Sequence, residues 1–192
     1  MLSIKEIVGA IAVFLTFAGY VPYIRDTIAG KTKPHVYTWF LWSLVTAIAF
    51  GLQISDKAGP GSLVTLAAAI VCFFIFILGF RIGKKDITKS DTIFFLLALV
   101  ALAMWLFAKQ PVISVLIVST IDMLAFAPTI RKSWDKPYTE TLLSYEINTF
   151  RFALALYALS HYSIITTLYP LTWVIANGFF SIFLIYRRKT LA

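Results

Sequence analysis

The chain has 192 residues, 60% of them hydrophobic and 14% charged, with a mean hydropathy of +0.86. Soluble domains average about 45–50% apolar residues and about 25% charge, so a soluble fold of this size could not cover its apolar surface, and the solvent must be lipid. The net charge of +8 would point to nucleic acid in a soluble chain, but here its placement between the apolar runs explains it better.

In chain order, Ile7–Ile24, Val36–Ser55 and Ala58–Phe80 contain no charged residue. Each has about the 17–25 residues that a helix needs to cross the hydrocarbon. Four more spans follow at Thr92–Ala108, Pro111–Ile130, Thr141–Leu159 and Tyr162–Tyr186, the last two divided near the loop residue His161. Span length and weak strand alternation argue against a lipid-facing barrel, so the expectation is an all-α integral membrane protein with seven transmembrane helices. Cys72 is alone and inside a span, which excludes an internal disulfide. Glu6 abuts the first run and no convincing small-residue cleavage site follows, so no removable signal peptide is expected.

The basic residues fall unevenly between the loops. The first, third and fifth loops and the tail hold thirteen Lys and Arg, among them Lys33, Lys85, Lys132 and Lys189. The N-terminus and the remaining loops hold three, Lys5, Lys57 and Lys109. Cytoplasmic loops carry the excess of Lys and Arg. The expectation is therefore a multi-pass protein of the cell (inner) membrane, with its N-terminus outside and its C-terminus in the cytoplasm.

Two stretches echo each other: YVPYIRDTIAGKTKPHVYTWFLW (Tyr20–Trp42) and FAPTIRKSWDKPYTETLLSYEIN (Phe126–Asn148). Setting Pro22 on Pro128, an offset of 106, also sets Ile24 on Ile130, Arg25 on Arg131 and Arg81 on Arg187. Spans one to three thus map onto spans five to seven, and the fourth has no counterpart. Both triplets begin on the same side, which makes them parallel repeats about an axis along the membrane normal, a known way to build a transporter with its site between the repeats. The predicted organisation is a first three-helix bundle at 1–88, a linker helix at 89–109 and a second three-helix bundle at 110–192.

This three-plus-one-plus-three layout resembles the SWEET and PQ-loop transporters, with the KDEL receptor and the vitamin-uptake PnuC proteins as architectural cousins. The motif that carries the likeness is a proline near the end of the first helix of each triplet, followed by a short basic loop: VPYIRDTIAGKT and APTIRKSWDKPYT. The last span, WVIANGFFSIFLIYRR, is similar to the final helix of bacterial half-transporters of this family. The resemblance implies a solute-facing role for Asn177 and hinge roles for Pro22 and Pro128. The glutamine that follows the proline in the family is absent, since Tyr23 and Thr129 stand there, and Val71 occupies the place of Asn177 in the first triplet. Sugar specificity therefore does not carry over.

Intramembrane polar residues mark candidate chemistry. A charge at a helix centre costs roughly 2.5–3.5 kcal/mol on insertion scales and usually faces a partner or an aqueous cavity. Asp122 and Arg151 fall near the midplane, and two roles fit them: an ion pair locking two helices, or the polar wall of a cavity. Glu146 lies shallower and has no evident partner, so it and Asp122 are the candidates for proton coupling. Tyr145, Asn148 and Arg151 share a face at spacings of three. Trp173 and Asn177, four apart, share another and suit a flat or polyhydroxylated solute. Trp42 shares its face with Trp39; by depth, Trp39, Trp105 and His35 read as interfacial residues. The predicted solute-binding set is Trp42, Asn148, Trp173 and Asn177, with Arg151 close by and held by Asp122.

Enzyme signatures are missing: there is no Gly-rich phosphate loop, zincin motif, nucleophile elbow or Cys/His metal spacing. The expected function is transport of a small polar solute, such as a sugar, amino acid or nucleoside- or vitamin-like molecule, by alternating access, with no metal, cofactor or nucleic acid. The alternative is a seven-helix receptor or scaffold of the same architecture that binds without transporting. Its surroundings are the lipid bilayer, and homo-oligomerisation stays open.

Overall fold

The computed structural model describes residues 2–82 and 110–191, with positions 88, 89, 92, 93, 95 and 96 between them. The predicted fourth span falls largely outside these residues, and Trp105 and the end of the predicted linker at 109 fall wholly outside them. Six helices are described: α1 (Ile4–Ile28), α2 (Val36–Ser55), α3 (Ser62–Ile82), α4 (Pro111–Asp135), α5 (Leu142–Tyr157) and α6 (Ile164–Thr190). Single 3₁₀ turns at Gly59–Gly61 and Pro137–Thr139 precede α3 and α5, and no strand occurs among the described residues.

The helix starts follow local chemistry. Ser3 and Glu6 form a reciprocal capping box on α1, as do Ser163 and Thr166 on α6. Pro111 opens α4, where its missing N–H costs nothing. Gly59, at φ 70°, and Pro60 make the turn that delays α3 to Ser62. The first and fifth spans run longer than predicted, because α1 continues through Pro22 to Ile28 and α4 through Pro128 to Asp135.

Five of these helices are long and apolar enough to cross a membrane. The exception, α5, has 16 residues, about 24 Å at 1.5 Å per residue, against a hydrocarbon core of about 30 Å. Polarity is distributed as lipid demands. Phe14, Phe80 and Phe179 are at least 70% exposed on the outside, while Thr16, Gln53, Asp122, Asn148 and Arg151 are buried within. This is the surface of a membrane-embedded protein.

Packing follows a regular pattern. The α3 helix lies against both α1 and α2, and α6 lies against both α4 and α5; between these groups, α1 packs on α5 and α2 on α4. Gly19 permits the close approach of α1 to α5, since a Cβ there would stand 2.6 Å from Ile147 Cγ2. That approach brings Thr16 and Tyr20, which flank Gly19 on one face of α1, up to the buried side of α5.

A candidate solute cavity

Five helices converge on one cavity. Trp42 comes from α2, Asn148 and Arg151 from α5, and Trp173 and Asn177 from α6, so all five predicted solute-binding residues line the same space. Its unfilled volume is about 450 Å³ with the mouth included, yet a water can be centred in only about 20 Å³ of it. That is room for one or two waters, so the cavity is closed around little more than its own hydration.

The walls are aromatic. The Trp42 and Trp173 rings meet edge to face at 5.2 Å, Trp39 meets Trp42 at 4.9 Å, and Phe152 stacks on Trp173 at 6.2 Å with 12° between planes. The indoles also hold the helices in register, because Trp42 Nε1 donates to the Asp122 carbonyl (3.2 Å) and Trp173 Nε1 to Asp122 Oδ2 (2.9 Å). Asn177 Nδ2 donates to the Trp173 carbonyl at 2.8 Å, which leaves its amide oxygen to serve the cavity it lines.

Arg151 is 1% exposed. Its Nε donates to Asn148 Oδ1 (2.7 Å), its Nη1 to Thr16 Oγ1 (3.2 Å) and its Nη2 to the Tyr20 hydroxyl (3.3 Å). The guanidinium lies 4.1 Å over the Phe152 ring. The expected ion pair with Asp122 does not form. The reason is the packing: Arg151 is on α5, which faces α1, whereas Asp122 is on α4, which faces α2 and α6. Asp122 is fully buried beside the cavity rather than lining it, and its Oδ1 has no hydrogen-bond partner.

Three further expectations need correction. Glu146 is exposed on the outer face of α5 and turns away from the cavity. Trp39 is not an interfacial residue; it is 3% exposed, lines the cavity and donates through Nε1 to the Tyr23 hydroxyl at 3.3 Å. His35 is buried and caps α2, with Nδ1 accepting from the Thr38 N–H at 3.4 Å.

Polar bonds tie the helices together toward both ends of the space. At the end carrying the basic loops, Glu140 is 2% exposed and joins Lys132 Nζ (2.5 Å) to the Tyr145 hydroxyl (2.8 Å). Thr32 and Thr141 share a hydrogen bond of 3.0 Å there. At the other end Thr46 and Tyr169 share one of 2.7 Å, Gln53 Nε2 donates to the Thr166 carbonyl (3.3 Å), and Ser163 Oγ to Asp56 Oδ2 (2.5 Å). The sequence reading did not single out Tyr20, Thr46, Glu140 or Tyr169. For Thr46 the 106-residue offset was the signal available, because Trp39, Trp42 and Thr46 line the cavity from α2 as their counterparts Tyr145, Asn148 and Phe152 line it from α5. Among the described residues, no three His, Cys, Asp or Glu gather as metal ligands. No family model, curated protein or solved structure matches this chain.

Proposed function

We propose that the protein carries a small polar solute across the membrane by alternating access, as a seven-helix relative of the SWEET and PQ-loop transporters. In this reading residues 1–88 and 110–192 are two parallel three-helix bundles joined by a linker helix at 89–109, with the N-terminus outside the cell and the C-terminus in the cytoplasm. The observation that carries the reading is one narrow cavity, lined by helices of both proposed bundles, with separate polar bonds between helices toward each end; in this reading those bonds are its seals. Breaking either seal alone would open the cavity to one side, which is what alternating access requires. The solute belongs to the sugars, amino acids or nucleoside- and vitamin-like molecules, packed against the indoles and bonded by Asn148, Arg151 and Asn177.

The helices run through Pro22 and Pro128, whose missing N–H groups weaken the helix at equivalent points; these are the proposed hinges. Asp122, buried with one oxygen unpartnered, is the proposed proton-coupling carboxylate. Uptake of labelled sugars, amino acids and nucleosides into proteoliposomes tests the function. A disulfide between Thr32→Cys and Thr141→Cys, in a Cys72→Ser background, should abolish uptake, and reduction should restore it. Saturable solute binding with no uptake in any condition would instead identify a receptor or scaffold.

A further inference from the structure

Arg151 poses a charge problem that the described residues do not solve. A guanidinium stays protonated at any physiological pH, and this one is 1% exposed. All three of its side-chain acceptors, on Asn148, Thr16 and Tyr20, belong to neutral groups. The acids with assigned partners are engaged elsewhere: Asp26 by Arg25 and Thr141, Asp56 by Ser163, Asp122 by Trp173 and Glu140 by Lys132 and Tyr145. A buried charge without a counter-charge is costly. Arg151 has five N–H donors, and the three bonds named above use three of them. It also lines the cavity.

We infer that the cavity, once opened to a solute, takes a monoanionic carboxylate, whose charge pairs with Arg151 and whose apolar body packs against Trp42, Trp173 and Phe152. This rests on reading the cavity as the solute site and narrows the solute class. The donors left on the guanidinium match the acceptors of a carboxylate, and the rings of Trp42, Trp173 and Phe152 give the same space an apolar wall. A phosphate monoester fits less well. Among the described residues no second Lys or Arg lines the cavity, so a dianion would enter with half its charge uncompensated. A neutral sugar would leave Arg151 as uncompensated as before.

Trp39, Trp42 and Trp173 line the cavity, so quenching of intrinsic fluorescence reports occupancy in the intact purified protein. The probes are acetate, benzoate, phenylacetate and indole-3-acetate, each beside its uncharged amide, together with glucose and inorganic phosphate. At least one acid should bind ~10-fold or more tightly than its amide, the worth of one charge-assisted pair, and Arg151→Gln should remove that preference. If Arg151→Gln does not fold, the acid–amide comparison on the unaltered protein decides alone. Equal affinity for acid and amide, no quenching by any acid, preference for glucose or phosphate, or an acid preference that survives in folded Arg151→Gln, overturns the inference. Acids that bind but never enter proteoliposomes would defeat the transport reading and leave the anion site standing. Uptake of a neutral solute that no acid inhibits would do the opposite.

Discussion

On α2 the cavity sees Trp39, Trp42 and Thr46; on α5, 106 residues later, it sees Tyr145, Asn148 and Phe152. The positions agree and the chemistry does not. Arg151 stands where α2 has Val45, and Asn177 where α3 has Val71. Asp122 on α4 stands where α1 has Thr16, and Thr16 is one of the groups Arg151 reaches. Equivalent packing contacts, α1 on α5 and α2 on α4, therefore carry a hydrogen-bonded guanidinium on one side and an aromatic wall on the other. Shape is kept from one half to the other, while polarity has been concentrated in the second. Such a cavity can orient a solute that has one charged end and one flat end.

The seal at the basic end sharpens this asymmetry and gives the largest expected effect. Glu140 has Pro34 as its counterpart, so only one half supplies the carboxylate. Its side chain and that of Lys132 are 1% and 9% exposed. Glu140→Ala leaves Lys132 unpaired and Tyr145 without its acceptor, and should cost about 3–5 kcal/mol, the range for breaking a buried pair. Thermal unfolding in detergent, with Pro34→Ala for comparison, measures it. A loss below about 1 kcal/mol would make the bridge a surface pair.

The next effect concerns the group that the sequence misassigned. Had Asp122 been the partner of Arg151, Asp122→Asn would cost several kcal/mol. In the structure the amide oxygen of an asparagine can still accept from Trp173 Nε1, so Asp122→Asn should change stability by less than about 1 kcal/mol. Trp173→Phe removes a side-chain donor to a buried carboxylate oxygen and should cost about 1–3 kcal/mol. Unfolding of both variants, read beside proton-driven uptake, separates a structural role for Asp122 from a coupling one. Coupling lost in a stable Asp122→Asn protein is the expected pairing.

What could be read in the sequence was where the long apolar helices run and which residues share a stripe on one helix; what could not was which neighbour each stripe faces. Hydropathy placed the spans, and α2 begins and ends where the charge-free run does. Spacings of three and four put Asn148 with Arg151 and Trp173 with Asn177 on cavity-facing stripes, as the structure has them. Depth alone, however, paired Asp122 with Arg151, although the bundle sets their helices against different neighbours. Glu146 failed for a related reason. It is two residues from Asn148, about 200° around the helix at 3.6 residues per turn, so sharing a depth with the cavity put it on the opposite face. Trp39 was assigned by its nearness to the basic loop, when its spacing of three from Trp42 was the better guide. Glu140 lies before α5 begins, and no helical periodicity marks a residue outside a helix.

The smallest predicted effects test how the two proline-bearing helices differ. Pro128 lies within α4, and two side chains of α2 donate to carbonyls in the turns before it: Thr38 Oγ1 to Ala125 (2.7 Å) and Trp42 Nε1 to Asp122 (3.2 Å). The carbonyl that Pro128 leaves without its helical donor is that of Leu124; the two bonds from α2 hold carbonyls on either side of it. Pro22 stands at the equivalent point of α1, but the counterpart of Thr38 is Ser144, whose buried hydroxyl has no partner. The proline-bearing turn of α4 is braced from α2, and among the described residues that of α1 has no matching brace from Ser144. Thr38→Val keeps the side-chain volume and deletes the brace, so it should cost about 1 kcal/mol, the worth of one buried hydrogen bond. Ser144→Ala deletes a hydroxyl that makes no bond, and should be neutral within about 0.5 kcal/mol or slightly stabilising. Chemical unfolding of the two variants in the same detergent settles the order. Equal losses would mean that Ser144 braces α1 after all, and the difference between the two turns would disappear. If the order holds, Pro22 is the freer hinge, and Pro22→Ala should slow exchange between inward- and outward-open states, followed by cysteine accessibility at both ends, more than Pro128→Ala does.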